Sequence, residues 1–230
     1  MTALGERSTL HRMKTAAPPQ SLSSARRERQ KAETRQRILD AARELFVTDG
    51  VDATTMRAIA HRIEYTPTAI YHHFKDKDAL LEELCLVDFL SLAAAMNRIG
   101  RIEDPIERLR RMGMAYADFA IDNPSQYRFM FMTARHHKGN LAGTAKGNPE
   151  QDAYGFLVYS MTEGIAQNRF RPELSDVEEL AQMFWGSLHG IISLNMNFLS
   201  DPWIAWRDPR ETIRSMIDVL IRGTVIQISS

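Results

Sequence analysis

The sequence predicts an all-α protein, with an N-terminal three-helix domain of the helix-turn-helix type and a larger helical C-terminal domain. Two observations carry this prediction. Apolar residues recur at helical spacing in nearly every segment from about Thr34 onward. Between Thr54 and Leu80, two short helical segments start at Thr and Thr-Pro signals and lie only a few residues apart. We assign residues 1–28 to a disordered basic tail, 29–80 to the three-helix domain and 81–230 to the C-terminal domain.

The composition is that of an ordinary soluble globular protein. The chain has 230 residues, of which 44% are hydrophobic and 25% are charged, and its single Cys excludes an internal disulfide. No apolar run approaches the roughly 18 residues that span a bilayer, and the first residues lack the apolar core of a signal peptide. We therefore expect a cytoplasmic protein that makes no membrane contact.

Charge is distributed unevenly along the chain. The net charge is zero, which by itself argues against a general polyanion binder. Residues 1–77, however, carry 14 Lys and Arg against 9 Asp and Glu, and the remainder carries 15 against 20. The basic part thus includes the two short helices, and the acidic part is the C-terminal domain.

The predicted tail is rich in Ser, Pro, Arg and Gln and has no apolar period. A basic cluster stands directly before the first predicted helix: Arg26, Arg27, Arg29 and Lys31. Two interpretations stay open. The tail is either a flexible basic arm that reaches a phosphate or the minor groove, or a solvated segment that only aids solubility.

The first helix is predicted from about Thr34 to Thr48, ending at Gly50, which suits a left-handed cap position. Its apolar residues form one stripe that faces a core. The stripe consists of Ile38, Leu39, Ala42, Leu45 and Phe46, whereas Arg35, Arg37, Arg43 and Glu44 are predicted to stay in solvent.

The next two helices form the predicted helix-turn-helix. Thr54 is expected to cap the second helix, and Thr66 the third, where Pro67 occupies the first helical position. In the third helix Ala69, Ile70 and Phe74 share one face, and Pro67, Thr68, Tyr71 and His72 form the opposite, exposed face. A protruding helix has the width that the DNA major groove admits, so this face is suited to reading bases.

The segments TTMRAIA, TPTAIYHHF and KDKDALL, preceded by RQRILDAARELFVTDG, resemble the DNA-binding domain of the tetracycline-repressor (TetR) family over about residues 33–82. The resemblance implies a DNA-binding transcriptional regulator. It also implies DNA contacts at positions matching Thr55, Arg57, Tyr71, His73 and Lys77, and contacts to bases or the sugar edge at Thr66, Pro67, Thr68 and His72. Tyr71 and Lys77 are suited to phosphate oxygens, and Arg57 to guanine or to the backbone.

One position departs from the family pattern. The turn between the second and third helices has Glu64 where the family usually has Gly. A residue with a Cβ there must either adopt a strained positive φ or shift the turn. We expect the Glu64 carboxylate to point away from the phosphates.

The fourth helix is predicted from Lys77 to about Ile99, with Cys85 as a small buried residue. Because it starts in the DNA-binding domain and ends in the next one, displacement of its far end would tilt its start. The His72–His73 pair is not a metal site, since adjacent helical side chains diverge by about 100°. We predict no metal and no cofactor.

The C-terminal domain contains further helical patterns, a Gly-containing loop at 135–149, and a capping box that begins at Ser175. WGSLHG (185–190) and NPSQYRFMF (123–131) resemble the WHG-type C-terminal domain of TetR-like proteins. The resemblance implies ligand binding and dimerisation, and the surplus apolar surface near the end of the chain favours pairing with a second copy. Candidate residues for a pocket that accepts an apolar or amphipathic effector are Phe119, Phe129, Met130, Tyr154, Met161, Phe184, Trp185 and His189, although most of such a set is usually core.

Together these features predict a homodimeric regulator, a repressor that presents two recognition helices about 34–36 Å apart to a near-palindromic operator. An enzyme using His136, His137 or His189 is the weaker alternative, because no catalytic motif accompanies them. A helical adaptor that uses the same three-helix unit for protein contacts is the other alternative.

Overall fold

A computed structural model describes residues 22–133 and 147–226, and its regular secondary structure is helical apart from one isolated bridge. The chain divides into two compact units at Arg37, and the packing discussed below lies within the second unit, which begins at Ile38. The only β feature of the described residues is an isolated antiparallel bridge between Phe170 and Val225. The helices are α1 (Leu22–Thr48), α2 (Met56–Arg62), α3 (Pro67–Tyr71), α4 (Lys77–Asn97), α5 (Pro105–Asp122), α6 (Pro124–Phe131), α7 (Ala153–Ala166), α8 (Val177–Phe198) and α9 (Pro209–Thr224).

The first helix is longer than the sequence pattern predicted. It begins at Leu22, so residues 22–28 are helical rather than part of a disordered tail. The four basic residues at 26, 27, 29 and 31 are exposed on this helix, and residues 1–21 lie outside the described part. The prediction failed here because a polar helix has no apolar period to reveal it.

The N-terminal core is formed by α1 to α3 and the first half of α4. Ile38, Phe46, Ile59, Ile70 and Leu84 are each completely buried in it. The predicted apolar stripe of α1 accounts for most of its α1 side, although Leu45 is only partly buried. This packing holds α2 and α3 as a rigid pair.

The C-terminal core surrounds α5, which packs against α4, α6, α7, α8 and α9. Its buried residues include Met112, Tyr116, Tyr127 and Met161. Buried Arg108 joins α5 to α7, because its Nε donates to the Ser160 hydroxyl at 3.0 Å and its guanidinium pairs with Glu163. Among the described helices, none is long and apolar enough to cross a membrane.

Two predicted helix caps are displaced by one residue. Thr55, not Thr54, caps α2, because its Oγ1 accepts from the Ala58 N–H at 3.1 Å. Thr54 is instead buried and donates to the Gly50 carbonyl at 2.8 Å. Likewise Asp176, not Ser175, caps α8 by accepting from two backbone N–H groups. In both places two adjacent residues are able to cap, and only the packing of the helix selects one.

Arg43 is not in solvent as predicted. Only 7% of the residue is exposed, and it lies against Asp88 of α4, which is completely buried. Its Nε and Nη2 donate to the two Asp88 carboxylate oxygens at 2.8 and 2.7 Å, and Gln126 of α6 donates to the same carboxylate at 2.9 Å. Burial lowers the pKa of the Arg43 guanidinium, but Asp88 and Asp40 more than offset this and the pKa is raised. A buried ion pair therefore joins α1, α4 and α6.

Candidate nucleic-acid interface and C-terminal polar cluster

The α2–α3 pair exposes a continuous polar face. Thr66 caps α3 by accepting from the Ala69 N–H at 3.3 Å, and Pro67 follows at the first helical position, as predicted. Ile70 is completely buried, which turns Thr68, Tyr71 and His72 outward, and Tyr71 is 53% exposed. The short helix thus has an apolar side fixed in the core and a polar side available to a groove.

The other predicted contact residues flank this face. Thr55 and Arg57 are exposed at the start of α2, where Arg57 is free to extend. Pro67 and His73 are only partly exposed.

His136 and His137, the catalytic candidates of the enzyme alternative, lie outside the described residues.

Lys77 has a structural role that the sequence did not suggest. Its Nζ donates to the carbonyl oxygens of Val51 and Thr54 at 2.9 and 3.2 Å. These bonds tie the start of α4 to the segment before α2, and they use two of the three ammonium donors. An alanine at this position would therefore disturb the domain as well as any phosphate contact.

Glu64 adopts the strained conformation that was one of the two predicted outcomes, with a φ of 61°. Its N–H donates to the His61 carbonyl at 3.2 Å, and the Tyr65 N–H donates to the Ala60 carbonyl at 2.9 Å. This pair of bonds is the Schellman arrangement that ends a helix through a left-handed residue. The turn therefore keeps the geometry that Gly would give. The Cβ of Glu64 makes this left-handed conformation sterically strained.

We expect Glu64→Gly to stabilise the protein by about 0.5–1 kcal/mol. Relief of left-handed strain, roughly 1–2 kcal/mol, exceeds the added freedom of Gly in the unfolded chain, roughly 0.5–1 kcal/mol. Thermal unfolding should then shift upward by about 2 °C. Glu64→Ala is the matched control, because it removes the charge but keeps the Cβ. An equal gain in both variants would assign the effect to charge rather than to the backbone.

A second candidate site lies in the C-terminal part of the protein. There, four side chains from α5, α6 and α8 form a chain of hydrogen bonds. The Trp185 indole N–H donates to the Tyr116 hydroxyl at 3.0 Å. The Tyr116 and Tyr127 hydroxyl oxygens lie 2.9 Å apart, and the Tyr127 oxygen lies 2.5 Å from Nδ1 of His189. We call Trp185, Tyr116, Tyr127 and His189 the polar cluster.

Aromatic rings surround the polar cluster. The Phe131 ring contacts the His189 ring at a centroid distance of 5.6 Å and the Trp185 ring at 5.9 Å. Tyr154 lies 5.8 Å from Trp185 on the other side, and its hydroxyl donates to Glu178. The imidazole is only half-buried, so this aromatic region is accessible from solvent.

The cluster is uncharged near neutral pH. Burial raises the pKa of Tyr116 to about 12 and raises the pKa of Tyr127 further. Burial also lowers the pKa of His189, which favours the neutral imidazole. All of its hydrogen bonds therefore join neutral groups.

The predicted pocket residues do not all meet at this cluster. Tyr154, Trp185 and His189 do, whereas Phe119, Met130, Met161 and Phe184 are buried in the C-terminal core. Phe129 belongs to the N-terminal core, where its ring stacks on Phe46 at 5.9 Å. Sequence reasoning missed Tyr116, Tyr127 and Phe131 as members of the site. The signal for two of them was present, since Tyr127 and Phe131 lie one helical turn apart in α6.

Helix α6 contacts both parts of the protein. Gln126 faces α4 through Asp88, and Phe129 faces α1 through Phe46. Tyr127 and Phe131 face the polar cluster. A displacement at the polar cluster therefore acts directly on residues that pack in the N-terminal core.

Two family models match the N-terminal and the C-terminal part of the chain separately. The family model described as bacterial regulatory proteins of the tetR family matches residues 38–84, and the model described as a tetracyclin repressor-like C-terminal domain matches residues 109–220. The repressor KstR2 of Mycolicibacterium smegmatis is 31% identical over 152 residues, which are 63% of this chain and 71% of that protein.

Two further similarities cover different shares of the chain. The regulator UidR of Escherichia coli is 33% identical over 90 residues, or 39% of this chain, and the chain spans only 40% of that relative's length. The crystal structure of a TetR family transcription regulator from Marinobacter aquaeolei covers 88% of this chain and all of that one, with a TM-score of 0.68 at 18% identity. This last likeness concerns the fold alone. The helix-turn-helix with its exposed α3 face, the helical C-terminal part and the extent of the match to KstR2 show that the chain belongs to the TetR family of bacterial regulatory proteins.

Proposed function

We propose that the protein is a ligand-responsive transcriptional repressor that binds a near-palindromic operator as a homodimer. The observation that carries the proposal is the exposed α3 face, on which Thr68, Tyr71 and His72 project from a helix anchored by buried Ile70. A short helix held in this way is suited to the major groove. In this proposal Thr55 and Arg57 at the start of α2, His73 and the third donor of Lys77 contact DNA beside this face. Thr66 and Pro67 face bases or the sugar edge.

An unpartnered face of α8 and α9 supports the dimer. Met183 and Leu194 are exposed on α8, 41% and 51%, and Gly186 and Gly190 lie between them on the same side. Val219 and Gly223 are exposed on α9, which packs against α8. A Cβ added at any of these three glycines would meet nothing within 4 Å, so the space beside them is open in one protomer. A second copy fills it best, because a near-palindromic operator requires a twofold pair.

The polar cluster supports a ligand site. It combines aromatic surface with a few convergent polar groups, which is the usual character of small-molecule sites. Helix α6 supplies the physical route from this site to the N-terminal core. To release DNA, the effector must bind more tightly to the conformation whose recognition-helix spacing does not fit the operator. An effector that binds both conformations equally leaves their populations unchanged.

A mobility shift with the DNA that flanks the protein's own gene tests the proposal. Tyr71→Phe should weaken binding about fivefold per half-site, or on the order of 30-fold for a dimer bound at both, since one phosphate hydrogen bond of about 1 kcal/mol is lost at each. Tyr159→Phe is the matched control, because it makes the same change on an exposed tyrosine of α7. No shift at moderate salt by the wild-type protein would favour the helical-adaptor alternative. Equal affinities of the two variants would remove Tyr71 from the contacts.

A further inference from the structure

We propose that His189 presents a fixed Nε2–H donor to the effector, and that the effector is an uncharged apolar molecule with a carbonyl oxygen. The inference rests on the proposed ligand site and names the chemistry that the site selects. It follows from the direction in which the hydrogen bonds of the polar cluster must run.

Trp185 sets the direction in which the hydrogen bonds of the polar cluster are donated. An indole N–H is only a donor, so the Tyr116 oxygen accepts from it. The Tyr116 O–H then donates to the Tyr127 oxygen, 2.9 Å away, and the Tyr127 O–H donates to Nδ1 of His189 at 2.5 Å. In this arrangement every hydroxyl of the chain has both a donor and an acceptor. Nδ1 carries no proton, and the ring proton of the neutral imidazole is on Nε2.

The opposite direction leaves a buried group without an acceptor. If Nδ1 carried the proton, His189 would donate to Tyr127 and Tyr127 to Tyr116. The Tyr116 oxygen would then receive two donors. Its own O–H would have no acceptor among the described residues, because Nδ1 of His189, 3.4 Å away, would itself carry a proton. Tyr116 is only 3% exposed, so water does not replace the missing acceptor at low cost. The forward direction is therefore the stable one.

The surroundings of His189 select the ligand class. Within residues 22–133 and 147–226, no group accepts a hydrogen bond from Nε2, while the Phe131 and Trp185 rings lie beside the imidazole. A ligand in this position must supply an acceptor and apolar surface. The described cluster contains no Lys or Arg, and Glu178 lies just beyond Tyr154. A carboxylate ligand is thus disfavoured, because no cation is present in the described cluster to pair with it. An amine is disfavoured because the protonated Nε2 cannot accept its hydrogen bond. A ketone, ester or amide fits, because its carbonyl oxygen accepts from Nε2–H.

The first test reads the tautomer directly in the full-length protein. Long-range ¹H–¹⁵N NMR at pH 7.5 should show a protonated Nε2 and an unprotonated, pyridine-like Nδ1 for His189. Trp185→Phe removes the donor that sets the direction, and the two tautomers should then become mixed. An Nδ1–H tautomer or an imidazolium in the wild type would overturn the proposal. So would an unchanged tautomer in Trp185→Phe, because the direction would then not originate at Trp185.

The second test uses three probes of similar shape: benzophenone, diphenylmethane and benzhydrylamine. Benzophenone should bind about fivefold more tightly than diphenylmethane, as expected for one hydrogen bond, and more tightly than the amine. His189→Phe should abolish this preference, and His189→Gln, which keeps a side-chain N–H donor, should retain part of it. Equal affinities in the wild type, a preference that survives in His189→Phe, or no binding of any probe would each contradict the proposed class.

Neither test involves DNA. A protein that passes both but does not shift operator DNA would keep the ligand site and lose the regulatory function. A protein that shifts DNA but shows the other tautomer would keep the function and lose this inference.

Discussion

Asp88→Ala should lower the free energy of unfolding by about 3 kcal/mol, near the lower end of the 3–5 kcal/mol expected when one partner of a buried ion pair is removed. The variant leaves the Arg43 guanidinium buried without its two-oxygen partner, and Gln126 without its acceptor. The loss of unfolding free energy is not larger because the Asp40 carboxylate, 2.8 Å from Arg43, still pairs with one side of the guanidinium. Urea unfolding at a fixed protein concentration measures the loss.

Two controls separate burial from charge pairing. Glu44→Ala breaks the pair of Arg62 and Glu44, whose side chains are 59% and 52% exposed, and should cost less than about 1 kcal/mol. The double variant Arg43→Met with Asp88→Leu removes both charges and should be much less destabilised than Asp88→Ala alone. Similar losses for Asp88→Ala and Glu44→Ala would contradict a buried, dry ion pair.

Gly186→Leu should dissociate the proposed dimer and weaken operator binding on the order of 100-fold, because the second half-site then no longer binds at high effective concentration. The protomer itself should fold as before. A Cβ at this position meets nothing within 4 Å, and Leu has the higher helix propensity by nearly 1 kcal/mol. The new side chain therefore acts only on a molecule that packs against this face of α8.

Sedimentation velocity and a mobility shift with the same DNA measure the two effects. Thr162→Leu is the matched control, since it adds a similar side chain at an exposed position of α7. It should leave both the mass and the affinity unchanged. A Gly186→Leu protein that remains a dimer at micromolar concentration would place the interface elsewhere.

Helix α6 links the polar cluster to the N-terminal core. Phe129 is completely buried in the N-terminal core, and Tyr127 two residues earlier is completely buried beside His189. Because close-packed side chains transmit displacements rather than absorb them, movement of Tyr127 must shift Phe129 or strain α6. The ion pair of Arg43 and Asp88, held by Gln126, adds a polar tie at the same junction.

Local features were predictable from the sequence because their physics is local. The start of α3 at Thr66-Pro67 depends only on neighbouring backbone atoms. At Glu64 the same local rules left two outcomes open, a positive φ or a shifted turn, and the structure shows the positive φ. The apolar stripe of α1 likewise required only the helical period. Where two cap residues were adjacent, as at Thr54 and Thr55, the same local rules gave the helix but not its first residue.

Contacts between distant residues were not predictable in this way. In the helical pattern of α1, Arg43 lies where a solvent-exposed arginine is expected. Only its pairing with Asp88, 45 residues away in the sequence, buries it. Phe129 and Tyr127 lie in one aromatic run of α6, yet they pack into different cores. No periodicity distinguishes them, because both are buried aromatic positions of a helix of only eight residues that packs on two sides.

The sequence by itself therefore determined the family, the helical fold and the exposed polar face of α3, because these follow from periodicity, start signals and a motif contained in one continuous stretch. The tertiary structure alone decided that Lys77 holds the α2 segment, that Arg43 is buried, and that Tyr127 joins His189 across 62 residues. Each of these depends on which polar groups lose water together when the helices pack, and that pairing is a property of the assembled core.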